Sequence, residues 1–427
     1  MARTLTTGLQ SGLRRGLQVG LGGGDLFTTA ALDLWFARYK TLDPRITFTR
    51  ASSGTFVGSD GLIKTATTNE PRFDHNPTTG ESLGLLVEEQ RTNLLLRSEE
   101  FDNISWSKTG SSVSASSTTG PDNLSTADKI VEDTSTGGHV IIQSVSALAD
   151  STTYTASIFC KAAERSWAAL TIVDKAGGLN RVWVNLSTGA QGTTNGTVSR
   201  SSIVAYPNGW YLLSVSASTA TGVGTPQVRL SMGSADNTAS YTGNGTSGLF
   251  VWGAQLEAGA SPTSYIPTTT ATATRSADVA SITGANFSSW YRQGEGTVFF
   301  EGANLAVSTT AFAVSDGSTS NRLQMDTGTN TRVARVVSGG ATQASNSVAY
   351  TYGVSQRFAL SYATDSINFA NAGVLGTEDA SATIPTVDQV RIGANPTGAN
   401  PLNNTIRRLT YWPQRLSNTT LQQITQP

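Results

Sequence analysis

The feature that most constrains this chain is the length and period of its apolar runs. "YTASIF" (154–159), "AALTIV" (168–173), "RVWVNL" (181–186), "WYLLSVSAS" (210–218), "QVRLSM" (227–232) and "LFVWGAQLE" (249–257) alternate, or run apolar, over the length of a strand. Asn195-Gly196, Asn208-Gly209 and Asn244-Gly245 separate them, and Asp60-Gly61 and Asp316-Gly317 recur elsewhere. Such pairs suit the positive φ of tight turns. No helical pattern of more than a few turns competes. The pattern predicts an all-β fold built of β-sandwiches of jelly-roll type.

The stretch "WGAQLEAGASPTSYIPTTTATATR" (252–275) interrupts the texture. Trp252, Ala254 and Leu256 alternate as one strand face should, with Phe250 on that face too, which makes Trp252 a core residue. Pro262 and Pro267 then break the ladder, because proline has no N–H to give it. Beyond them the strand texture resumes in "GTVFFEGANLAV" (296–307), "TAFAVSD" (310–316), "RVARVV" (332–337), "RFALSYA" (357–363), "SINFAN" (366–371) and "QVRIGAN" (389–395). The end, "NNTIRRLTYWPQRLSNTTLQQITQ" (403–426), predicts a strand with Trp412 packed inside, then a short helix capped near Ser417 or Asn418. At 427 residues more than one core is expected. The reading is two tandem sandwiches, 104–267 and 275–427, joined by a linker at 268–274.

Composition narrows the function classes. Only 14% of residues are charged and the net charge is −1, so the electrostatic footprint of a nucleic-acid binder is missing. No window approaches the roughly 18–20 apolar residues of a membrane-spanning helix, and no membrane insertion is expected. The arginines of "MARTLTTGLQSGLRRGLQ" occupy the place of a signal peptide's apolar segment, so the chain reads as unexported. The single cysteine, Cys160, lies in a strand-like run and reads as a small buried hydrophobe.

Residues 7–22 divide into TGLQ, SGLR, RGLQ and VGLG, a four-residue repeat with Gly-Leu in each copy. A helix would carry Gly8, Gly12, Gly16 and Gly20 in its interior at about 1 kcal/mol each. Extended backbone instead aligns Leu9, Leu13, Leu17 and Leu21 on one edge over roughly 50 Å. Residues 1–40 are therefore read as an extended segment, either a free tail or a docking strap that orders against another protein.

Residues 42–103 contain "RASSGTF", "PRFD" and "GLLVEEQRTNLL", and "WGAQLEAGASPTSYIPT" closes the first sandwich. In these strings the chain resembles a module at the front of tail-fibre, head-fibre and related adhesion proteins of tailed bacteriophages. The family's aromatic-Asp-Pro is replaced here by His75-Asn76-Pro77. The resemblance implies that 41–103 is a β-rich connecting segment, that 104–267 is a jelly roll like a carbohydrate-binding module, and that 275–427 is a laminin-G or concanavalin-like sandwich. It further implies a homotrimeric fibre or spike assembled in the bacterial cytoplasm, docked to tail, baseplate or capsid proteins through residues 1–40 and binding a host-surface glycan. A capsid-decoration or head-fibre protein without a glycan, and a polysaccharide depolymerase, are the rival readings.

Catalysis is not expected. Glu88-Glu89 and Glu99-Glu100 are the acidic doublets of note, and neighbours on a strand point to opposite faces, whereas a glycosidase needs two carboxyls facing one another. His75 and His139 have no Cys or His cluster beside them, so a zinc site is not expected. No cofactor is predicted. A structural calcium ion stays open, because backbone carbonyls and lone Asp side chains hold it without a sequence signature; Asp60 and Asp316 read as turn residues. Sugar binding fits better, since aromatic faces stack on pyranose rings while amides and carboxylates bond the hydroxyls. In "RVWVNL" the core face takes Val182, Val184 and Leu186, leaving Trp183 beside Asn185 as the first candidate platform. In "NGWYLLSV" Trp210 opposes Tyr211, Leu213 and Val215 and ranks second. Pattern does not sort Trp106 or Trp167.

Overall fold

A computed structural model describes residues 26–146, 148–303, 308–351 and 354–427, so Leu9, Leu13, Leu17 and Leu21 lie outside the described residues. The fold is all-β, with sheets paired antiparallel. The chain divides into two units, Phe48–Asp278 and a second made of the described residues up to Thr47 together with Val279–Pro427. In chain order the first unit is thus an insertion within the second, a different division from boundaries at 40, 103, 267 and 274.

Phe48–Asp278 is a sandwich of two six-stranded sheets. One runs Val198–Ala205, Trp210–Ser218, Thr153–Ala162, Gly248–Ala258, Ala127–Glu132, Ser111–Thr118; the other runs Ala190–Asn195, Leu179–Asn185, Trp167–Val173, Gln227–Gly233, Val140–Ser144, Ser107–Thr109. Between them lies the core: Ile158, Leu213, Val215, Val251 and Leu256 from the first sheet, Leu170, Ile172, Val182, Val184, Leu230 and Met232 from the second, with Leu213, Val215, Val182 and Val184 on the core face that alternation assigns them. Cys160 is buried in this core, and burial pushes its thiol up, as befits an inert hydrophobe.

The first sheet is buried on its other face as well. Phe159, Trp210 and Trp252 pack there against Val57 and Ile63, carried by the hairpin Gly54–Val57/Ile63–Ala66, and against Tyr265. Trp252 is therefore buried, but not on the face that alternation assigns to it with Leu256. Gly253 has φ +59°, and the register against Thr153–Ala162 shifts between Ser157 and Phe159. This bulge leaves Phe250 and Trp252 under the connecting segment while Ala254 and Leu256 enter the inter-sheet core.

Buried charge ties the ends of this unit together. Asp278 pairs with Arg50 (3.1 Å) and with Arg72, while Glu88 pairs with Arg72 (2.7 Å) and Arg275 (3.2 Å). All five residues are buried. The Thr/Ala run read as a linker contains a short strand, Ala273–Arg275, paired with Arg91–Asn93.

The second unit is also a sandwich. One sheet contains Val374–Leu375, Ser366–Asn371, Gln356–Ala363, Glu295–Gly302 and Asn404–Trp412 in that order; another contains Val279–Thr283, Gln389–Ile392, Thr310–Ser315, Arg322–Gly328, Thr331–Ser338 and Ala341–Ala349. Phe312 and Phe358 meet between the two sheets, ring centroids 6.4 Å apart. The helix Asn418–Thr425 begins where the sequence places its cap: the Ser417 hydroxyl accepts the Thr420 N–H (3.2 Å). Residues 26–40, read above as part of a strap, belong to this sandwich. Leu32–Leu34 pairs with Asn404–Trp412, Phe27 packs on Trp412 and Phe299, and the Asp33 carboxylate accepts from Nε and Nη2 of Arg408, both at 2.7 Å.

Candidate functional site

Neither tryptophan proposed as a glycan platform is available as one. Trp210 is 1% exposed and sits beneath the connecting segment, its indole N–H donating to the Thr119 carbonyl (3.2 Å). Trp183 does point away from the inter-sheet core, as alternation requires, yet it is 0% exposed. A Cβ built on Gly233 would lie 2.5 Å from Trp183 Cζ3 and 3.0 and 3.1 Å from the Ala235 and Thr238 carbonyls, tighter than ordinary van der Waals contact. The indole and the 234–238 turn therefore border the same space, which a glycine leaves free. Asn185 is half-buried, and its Oδ1 accepts the Ser187 N–H (3.0 Å) to close the next turn.

The face around Trp183 nevertheless has a chemistry of its own. Because Val182, Leu170 and Leu230 fill the core, their neighbours Arg181, Thr171 and Arg229 project from the opposite side of the sheet, and the register sets Thr171 directly between the two arginines. The next rows are Trp183–Ala169–Ser231 and Asn185–Trp167–Gly233. Trp167 is the one tryptophan of this unit that is not buried. Arg181 Nε donates to Asn195 Oδ1 (2.9 Å) and Arg229 Nε to Gln227 Oε1 (2.8 Å). Sequence reading missed both arginines. Alternation in "RVWVNL" and "QVRLSM" places each on the outward face; their alignment across Thr171 needs the strand order.

The acidic doublets are occupied. Beyond its ion pairs, Glu88 accepts the Ser264 N–H and hydroxyl, both at 2.7 Å. Burial would raise its carboxyl, but the guanidiniums of Arg275 and Arg72 and the Ser264 bonds outweigh that and hold it at about 2. Glu89 pairs with Arg91 and Glu100 with Arg97, while Glu99 accepts the Tyr265 hydroxyl (2.9 Å). Burial pushes the Glu99 carboxyl up. Both histidines are buried, with Nδ1 of His75 at the Val57 carbonyl (3.0 Å) and Nδ1 of His139 at that of Gly110. Among the described residues no three His, Cys, Asp or Glu side chains group as metal ligands would. Asp60 and Asp316 cap their turns, accepting the N–H groups of Leu62 and Ser318.

In the second unit a cavity of about 560 Å³ is lined by Phe287, Tyr291, Gln293, Asp388 and other residues. Phe287 and Tyr291 stack on one another at 4.5 Å, and Gln293 is spent on the Pro385 carbonyl and the Val387 N–H. Ring faces used this way are a poorer platform than Trp167.

No protein-family model matches the chain, and no curated protein matches it in sequence. Among solved structures it is similar to domains LG4-5 of the mouse laminin alpha1 chain, with 9% identity over 65% of this chain and 85% of that one and a TM-score of 0.21. It is also similar to the tandem CBM22 domains of Paenibacillus barcinonensis Xyn10C, with 11% identity, 75% and 95% coverage and a TM-score of 0.24. A Trypanosoma rangeli sialidase gives 8% identity, 74% and 62% coverage and a TM-score of 0.27. None of these likenesses carries anything about ligand or activity.

Proposed function

We propose that this chain is a structural protein of a tailed-bacteriophage particle, a fibre- or spike-type adhesin without catalytic activity whose jelly roll binds host-surface glycan. The carrying observation is the outward face of the sheet Trp167–Val173/Leu179–Asn185/Gln227–Gly233, where a part-exposed indole adjoins polar side chains. Stacking on such a ring and hydrogen bonds from such donors are the ordinary means of holding a sugar. The opposite sheet has its outer face covered by the connecting segment. Attachment is multivalent, several copies on one particle raising the effective concentration of the next.

The phage assignment is supported by the strings that carry the resemblance, whose polar residues have one structural use. Arg50, Arg72, Glu88 and Ser264 meet in the buried ion cluster, while Asn93 bonds the carbonyls of Ala254 and Ile266 and Gln255 accepts the Ile266 N–H. The module is thus recognised by how it holds itself together, and its sugar face lies elsewhere. Wild-type protein is expected to retain polysaccharide extracted from the host surface, and Trp167→Ala to lose most of that retention. Release of reducing ends would instead make it a depolymerase. Tracing the chain on intact particles tests the placement: projection from tail or baseplate supports the adhesin, whereas burial of this sheet face against a capsid lattice would replace it with a decoration protein.

A further inference from the structure

We propose that the glycan held on this face is acidic, with ring carboxylates received by Arg181 and Arg229. The inference rests on the glycan-binding reading above and narrows its substrate class.

The two arginines stand on strands either side of Trp167–Val173, opposite the same residue, Thr171. Two strand spacings separate them, roughly 10 Å at about 4.8 Å each. Each guanidinium is steadied by a neutral amide on its Nε, from Asn195 and Gln227. The terminal Nη groups of neither have a protein acceptor among the described residues, and neither arginine forms an ion pair there. Six other arginines of the unit contrast with this. Arg50, Arg72, Arg91, Arg97, Arg165 and Arg275 each pair with a carboxylate.

A guanidinium held at Nε presents its Nη pair as a fork, the geometry that takes both oxygens of a carboxylate. The acid Asp236 lies at the Trp167 end of the face, where a Cβ on Gly192 would meet both its carboxylate and the indole, and it accepts the N–H (2.9 Å) and hydroxyl (2.8 Å) of Thr193. The side chains in the row are then two cations with a buried threonine between them, a row that complements an anion and repels none. Trp167 lies four residues along the central strand from Thr171, roughly 13 Å at about 3.3 Å per residue. One chain of several sugars can therefore reach the indole with one ring and the arginines with others.

The test is calorimetric titration of the full chain with polygalacturonate, alginate and hyaluronate, and with dextran and fully methyl-esterified polygalacturonate as uncharged counterparts. The proposal expects binding to at least one acidic polymer, none to the uncharged polymers, and a loss of about tenfold or more in affinity for Arg181→Gln or Arg229→Gln. Thermal melting of both variants should match wild type, since each side chain is only half-buried. Binding of acidic and uncharged polymers alike, or acidic binding that survives both substitutions, overturns the arginine assignment and leaves the glycan reading standing. No binding to any polymer here, with no retention of host-surface polysaccharide, overturns both. Retention of host polysaccharide that is insensitive to Arg181→Gln and Arg229→Gln overturns this inference alone.

Discussion

At the level of single residues, the outward tryptophans show how far alternation can be trusted. The period of two correctly separates Trp183 from Val182 and Val184. It says nothing about the burial of the ring, whose neighbourhood includes Gly233 and the 234–238 turn, a segment fifty residues away with no apolar period. Trp183→Ala is therefore expected to cost about 3–5 kcal/mol of stability, the range for removing a buried large aromatic, read by urea unfolding. Trp167→Ala should change stability by about 1 kcal/mol or less and act on glycan retention. Equal destabilisation by the two would mean Trp167 is packing too. Glu88 carries a pH dependence with a definite sign. Its carboxyl is lowered from 4.5 to about 2 in the folded protein, so its stabilisation is complete above pH 4.5 and fades as pH falls through about 2. Glu88→Gln should thus be destabilising by about 3–5 kcal/mol near neutrality, where it leaves buried arginines short of a partner. The gap between variant and wild type should narrow as denaturation is measured from pH 5 down to pH 2; a gap independent of pH would contradict the ion-cluster account.

Among the elements, strands with a buried face were legible and polar edge strands were not. Trp210–Ser218 and Ser366–Asn371 coincide with the runs read from sequence, because one face of each is a continuous row of core residues. Ser111–Thr118, "SSVSASST", is a strand at the edge of its sheet, paired among the described residues only with Ala127–Glu132 and mostly exposed. With Val113 alone packing on the core, no alternation marks it. The bulge at Gly253 escaped for another reason: a single residue at φ +59° reverses which face every later side chain takes, and glycine is compatible with either outcome. Glycine has a different role at 233, where absence of a side chain admits both Trp183 and the 234–238 turn. Gly233→Ala is expected to destabilise by about 1–3 kcal/mol through overpacking, measured by thermal unfolding. If the variant melts like wild type, the indole and the turn do not crowd position 233 as described.

For the molecule as a whole, the sequence placed two sandwiches in tandem, and the fold contains both but threads them differently. The chain enters the C-terminal unit through Leu26–Leu34, leaves to build Phe48–Asp278, and returns. The Thr/Ala run looked like a linker because its only strand is three residues long and its stabilising contacts, Arg275 to Glu88 and the Ser264 hydroxyl (2.9 Å), are made with residues distant in sequence or across a proline-rich turn. With Arg50 and Asp278 paired, the two ends of the inserted unit are fixed side by side, as an insertion requires. Residues 48–278 should accordingly fold alone with a cooperative melt. Residues 279–427 alone should melt well below the full chain, since they lack Phe27 against Trp412 and Asp33 against Arg408; a truncation as stable as its parent would remove the N-terminal segment from the account of that sandwich. The central claim, that one particular sheet face holds glycan, is tested most directly by hydrogen–deuterium exchange of the full chain with and without host-surface polysaccharide. Protection is predicted in Trp167–Val173, Leu179–Asn185 and Gln227–Gly233. Protection confined to the C-terminal sandwich, or none at all, would contradict it.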